Sequence, residues 1–133
     1  MKNIGTLVQG RFVFAIIWYN FIFFRSQIHK GLVQLNQMFQ FQSCNADIQH
    51  RWCEFIVKYC FKDGYDFLKK FLREHQAMGL YLYGEMTLSK SKTLKSMAFN
   101  LFQELKSEMD PSTSLNLYQM LKQNGNDTTT WTP

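Results

Sequence analysis

The thirteen residues from Ile48 to Cys60, IQHRWCEFIVKYC, constrain the fold more than any other stretch. Ile48, Trp52, Phe55, Ile56 and Tyr59 recur at i, i+4, i+7, i+8 and i+11, while Gln49, Arg51, Glu54 and Lys58 fall elsewhere. That spacing predicts an amphipathic helix with one wide apolar face. Asn45 or Asp47 is placed to cap its start, where a short side-chain oxygen accepts from backbone N–H groups that lack a carbonyl partner. Asp47 also suits the positive end of the helix dipole. Trp52 is the expected anchor, with Phe55, Ile56 and Tyr59 beside it. A buried indole removes roughly 150 to 250 Å² from water, an upper contribution of several kcal/mol at about 25 cal/mol per Å².

Similar patterns surround this helix. Ile28, Leu32, Leu35, Met38 and Phe39 share a helical face, and Ser26 is placed to cap a first helix over 27–40. Past Phe61–Gly64, a turn, Asp63 with Asp66 resembles a capping box, followed by a helix to about His75 with Phe67, Leu68, Phe71 and Leu72 inward. Ala77–Leu88 contains Gly79 and Gly84, which weaken a helix, and a YLY triplet that suits a strand; its helical neighbours favour a buried helix. Ser89 or Ser91 opens the next helix, with Leu94, Met97, Ala98, Leu101, Phe102, Leu105 and Met109 as its stripe. Leu101 and Phe102 are further expected anchors. Asp110-Pro111 places an N-cap before a proline at the first helical position, where its missing N–H costs nothing. The last helix turns Leu117, Tyr118 and Leu121 inward.

The expected fold is all-α, an armadillo/HEAT-like two-layer superhelix of about six short antiparallel helices. Three segments are expected: 1–25 apolar, 26–123 helical, and a frayed polar tail over 124–133 that contains the sequon Asn126-Asp127-Thr128. At 133 residues the chain suffices for one modest domain.

The apolar run Phe12–Phe24, FVFAIIWYNFIFF, sits between Arg11 and Arg25. It is short of the roughly 20 residues of a bilayer span, and no small-residue cleavage site follows it. Three readings stay open: a segment foreign to the domain, an element packed on it, or a short membrane anchor whose basic flanks and aromatic rings suit an interface.

Charge is distributed unevenly. Lys2, Arg11, Arg25 and Lys30 precede Asn45 with no acid among them, whereas from there onward eleven bases face ten acids. A nearly neutral body lacks the concentrated Lys and Arg that neutralise phosphates, which argues against nucleic acid as a partner. Lys69, Lys70 and Arg73 read as the solvated back of a helix, and Glu54 with Lys58 as a surface pair. Cys44, Cys53 and Cys60 are an odd set without a CxxC, which points to reduced thiols and a cytoplasmic location rather than to a disulfide scaffold.

Candidate catalytic groups are sparse. His29, His50 and His75 do not form the HExxH pair that presents two imidazoles to one zinc ion. No phosphate-cradling glycine loop or nucleophile elbow is present either. His50 and Cys53 lie i, i+3 on one helix, a spacing read as a packed thiol beside an exposed ring.

The strings DIQHRWCEFIVK (47–58) and QAMGLYLYGE (76–85), in this order and separation, carry a resemblance to a known family. The chain from about Gly31 to Lys122 resembles the C-terminal helical domain shared by leukotriene hydrolase, aminopeptidase B and aminopeptidase O, the second string most resembling the aminopeptidase O branch. Met1–Lys30 does not share the likeness. The resemblance implies an armadillo-like superhelix that follows a zinc-containing catalytic domain and helps wall its substrate cleft. The family's zinc motif and its GxMEN motif are both missing from this sequence. By resemblance the chain is then a fragment or short isoform carrying the accessory domain of a metalloaminopeptidase, inactive alone, with no metal or cofactor of its own. Its implied partner is the catalytic domain, with peptide substrate engaged only through the parent enzyme. A basic pair that holds the substrate carboxylate in leukotriene hydrolase falls near His75 and Ala77. Ala77 cannot do that work, which leaves His75, with Arg73 nearby, as the substrate-binding candidate. The alternatives are an independent protein-interaction module and a small membrane-anchored protein.

Overall fold

In a computed structural model, the structure describes residues 4–124, with side chains from residue 15 onward. The expected tail beyond Asn124 and its sequon lie outside the described residues. Helices are α1 (Ile4–Met38), α2 (Ala46–Lys58), α3 (Tyr65–Glu74), α4 (Leu80–Leu88), α5 (Lys92–Leu105) and α6 (Pro111–Asn124), with single 3₁₀ turns at Phe41–Ser43, Lys62–Gly64 and Gln76–Met78. No strand occurs among the described residues. The fold is all-α. The chain divides into two units after Phe39.

The first unit consists of α1. The helix expected over 27–40 is the last part of this much longer one, and Ser26 lies inside it rather than capping it. No proline interrupts Ile4–Met38, so helical hydrogen bonding propagates through the apolar run. Leu35, Met38 and Phe39 are exposed.

In the second unit, α4 packs against α2, α5 and α6, while α3 packs against α2 and α5. One layer is therefore α2, α4 and α6, and the other α3 and α5. Caps set the helix starts: Asn45 accepts from the Ile48 N–H at 3.0 Å, Ser91 from the Leu94 N–H at 3.3 Å and Asp110 from the Thr113 N–H at 2.9 Å. The capping box expected at Asp63 and Asp66 does not form. Asp63 belongs to the 3₁₀ turn, and α3 starts after Gly64 with no side-chain cap.

The buried face of α2 is Trp52, Cys53, Ile56 and Val57. It lies roughly 80° round the helix from the expected one, at about 100° per residue. Phe55, an expected anchor, is 46% exposed, as is Ile48, and Tyr59 is half-buried. Packing by α3 and α4 selects the side of α2 that carries the smaller Cys53 and Val57, which permit close approach. Trp52 is buried, stacked on Phe41 at 4.4 Å between centroids and edge-on to Phe61 at 5.9 Å. Ile56, Leu101 and Phe102 are buried with it.

The α2 helix ends in a left-handed residue that sequence reading missed. Cys60 has φ 50°, the Phe61 N–H reaches the Ile56 carbonyl at 2.9 Å and the Cys60 N–H reaches Val57 at 3.2 Å. This is a Schellman cap in which cysteine occupies the usual glycine position.

Candidate functional site

The polar groups that converge in the second unit gather where α2 begins and α3 ends. Asn45 starts α2 so that Asp47, His50, Arg51 and Glu54 follow on adjoining turns, and these four with Met78 line a shallow groove of about 340 Å³. His50 Nδ1 lies 3.1 Å from Glu54 Oε1, and Arg51 Nη1 donates to both oxygens of the same carboxylate at 3.0 and 3.1 Å. Glu54 thus faces His50 and Arg51, not Lys58 as expected. Lys58 instead places its ammonium 5.5 Å above the Tyr59 ring.

Rings extend this cluster. His50 lies 5.9 Å from Phe71 and 6.2 Å from Tyr81, and His75 lies 4.9 Å from Phe71. His75 ends α3, where its backbone N–H donates to the Phe71 carbonyl at 2.8 Å. Tyr81 is exposed at the start of α4.

Arg73, the other substrate-binding candidate, has a different neighbourhood. It pairs with Glu104 of α5 and lines a groove of about 600 Å³ together with Lys69, Lys92, Ser96 and Asn100. The structure thus sets His75 and His50 each beside the Phe71 ring, and commits Arg73 to a carboxylate. Lys69 meets Asp66 at 3.4 Å and Lys70 meets Glu74 at 3.8 Å, as expected of a solvated helix back. Sequence reading missed His50 as a member of this cluster, because its neighbours Phe71, Met78 and Tyr81 are distant in the chain.

The cluster offers imidazole, guanidinium and carboxylate groups that can bind polar or charged partners. Cys53 is no nucleophile beside His50: its thiol is fully buried, and burial first, with Glu54 adding to it, pushes its pKa up to about 12. No three His, Cys, Asp or Glu side chains are grouped to hold a metal ion among the described residues.

The helices of the α2, α4 and α6 layer also expose apolar side chains: Ile48 and Phe55 from α2, Tyr81 and Leu88 from α4, and Leu115 from α6. Phe55 and Tyr59 stack at 6.2 Å.

A family profile described as "Leukotriene A4 hydrolase, C-terminal" matches residues 20–121, starting upstream of Gly31, where the resemblance read from the sequence begins. Aminopeptidase O of Rattus norvegicus is 39% identical over 90 residues, which cover 68% of this chain and 11% of that protein. Aminopeptidase O of Homo sapiens is 39% identical over 92 residues, covering 69% of this chain and 11% of the relative. Aminopeptidase O of Mus musculus is 36% identical over 87 residues, with 65% and 11% covered. The chain thus spans about a tenth of the length of the curated relatives it matches. No solved structure matches it.

Proposed function

Because the chain belongs to the family of leukotriene A4 hydrolase C-terminal domains, we propose that it acts as the helical accessory domain of a zinc metalloaminopeptidase, packing on a catalytic domain and performing no peptide cleavage itself. The observation that carries this reading is the match of residues 20–121 to a C-terminal domain in a sequence that has no HExxH. Zinc and the hydrolytic step belong, in this reading, to the catalytic domain of the parent enzyme, in the cytoplasm.

The exposed Phe55, Tyr81, Leu88 and Leu115 suit a surface that a partner covers, since side chains of this size gain most when water is removed from them. The division into α2, α4, α6 and α3, α5 layers supports an armadillo-like stacking of helix pairs. His75, held by the ring cluster, offers a cationic or hydrogen-bonding group to a peptide carboxylate. Arg73 contributes to that role only if Glu104 releases it.

The test mixes the purified full chain with an aminopeptidase O truncated before its C-terminal helical domain. Comigration on gel filtration, together with a rise in zinc-dependent cleavage of aminoacyl-coumarin substrates, is the expected result. Phe55→Ser with Tyr81→Ser weakens the complex. Zinc-dependent cleavage by the chain alone overturns the non-catalytic assignment, and failure to comigrate overturns the packing role. In a full-length homologue, an unchanged peptide Michaelis constant after substitution of the residue equivalent to His75 by alanine removes that residue from substrate binding.

A further inference from the structure

The middle of α1 presents a surface unlike any other among the described residues. Ile16, Ile17, Trp18, Tyr19, Phe21, Ile22, Phe23 and Phe24 are each between 50% and 71% exposed. Consecutive residues on a helix turn by about 100°, so this run presents large apolar side chains on every side rather than along one stripe. A protein groove or a second copy of the helix covers one side of such a segment. A lipid phase surrounds it.

Length and charge narrow the choice further. The stretch from Ile16 to Phe24 rises about 13 Å at 1.5 Å per residue, close to half of a hydrocarbon core about 30 Å thick. No helix among the described residues is long and apolar enough to cross a membrane. Trp18 and Tyr19 combine an apolar ring with a polar tip, which suits the boundary between headgroups and acyl chains. Arg25 and Lys30 follow the run, Lys2 and Arg11 precede it, and no Asp or Glu occurs before Asp47. The segment is therefore complementary to a negatively charged surface and repelled by none of its own carboxylates.

We propose that α1 binds the surface of an anionic bilayer, inserting Ile16–Phe24 into one leaflet while Arg25 and Lys30 contact anionic headgroups. The long stems of these two residues let their charged ends stay in the headgroup layer. This inference goes beyond the accessory role: the family match begins at residue 20, so Ile16–Tyr19 precede it while Phe21–Phe24 fall inside it.

The test is cosedimentation of the full 133-residue chain with phosphatidylcholine vesicles, with and without phosphatidylserine. The chain is expected to pellet with the phosphatidylserine vesicles and to be released by high salt. Arg25→Gln with Lys30→Gln, which leaves the apolar run intact, weakens partitioning roughly twenty-five-fold, at about fivefold per basic residue near an anionic surface. Trp18→Ser with Phe21→Ser abolishes pelleting while circular dichroism retains the helical signal. Three results overturn the proposal: a chain that stays in the supernatant with phosphatidylserine vesicles, equal pelleting of the charge variant, or a dimer by light scattering that Trp18→Ser with Phe21→Ser dissolves in the absence of any vesicle binding. The last would assign the surface to a second copy.

Discussion

Arg73 on α3 and Glu104 on α5, 31 positions apart, meet as a two-pronged ion pair, Nε donating to Oε1 at 2.7 Å and Nη2 to Oε2 at 3.1 Å. The hydrogen bond from Arg73 holds the Glu104 carboxyl below its ordinary range, and the same bond raises the pKa of the guanidinium. Tyr83 senses both groups. Its buried phenol titrates above the ordinary range, chiefly through burial and then through Glu104, and its hydroxyl has no hydrogen-bond partner among the described residues.

The pair ties the two helices of one layer together at the surface, where salt screens it. A double-mutant cycle with Arg73→Ala and Glu104→Ala, followed by urea denaturation, should give a favourable coupling at low ionic strength that shrinks in high salt. A coupling independent of salt would assign the link to packing instead.

Gly64 is required by packing. A methyl group there would lie 2.6 Å from Cγ1 and 2.7 Å from Cδ1 of Ile56, which is fully buried and has no space to withdraw into. Gly64→Ala should cost about 1 to 3 kcal/mol. Gly84, inside α4, meets only the Met120 thioether at 3.3 Å, a flexible group at the end of its side chain. Gly84→Ala should stabilise by up to about 1 kcal/mol through helix propensity. Chemical denaturation of the two variants side by side checks the opposite signs.

Cys60, with φ 50°, adopts a conformation that favours glycine. Cys60→Gly should keep the Schellman hydrogen bonds and raise stability by about 1 kcal/mol, whereas Cys60→Val should lower it, because branching at Cβ aggravates the clash. Thermal melts of the two variants read the difference directly.

Acid should loosen the second unit from its carboxylates. Asp110 accepts from the Ser112 hydroxyl at 2.6 Å, the largest cause of its shift, and from the Thr113 N–H at 2.9 Å, and its pKa is pushed down to about 2. Folded values for Asp110 and Glu104 lie below the unfolded ones, so the unfolded chain binds more protons in this range. Stabilisation through Asp110 is present above its unfolded pKa and is lost as the pH falls toward about 2, and that through Glu104 is lost as the pH falls through its own lowered value. Melting followed by circular dichroism should show this decline, and Asp110→Asn, which keeps a capping oxygen, should flatten it.

Much of the fold could be read directly from local signals. Asn45, Ser91 and Asp110 cap helices through atoms two or three residues away, so the chemistry that starts those helices is contained in the sequence itself. The stripe from Leu94 to Leu105 is long enough to fix its own buried face. Phe55 shows where this reasoning stops. The apolar residues of α2 span a wide arc, and periodicity cannot say which part its neighbours will cover. The site was less legible still, because His50, Phe71, His75 and Tyr81 come from three helices, and Arg73 is claimed by a partner 31 residues away.

By itself the sequence determined an all-α chain with helices starting at its caps, an unbroken apolar run before Arg25, and membership of a family through the strings around Trp52 and Tyr83. Tertiary structure alone decided that Val57 is buried while Phe55 is exposed, that Glu54 holds His50 and Arg51, and that Gly64 admits no side chain. Caps and periodicity act within a few residues along the chain, whereas burial and ion pairing depend on which distant surfaces approach, and only packing sets that.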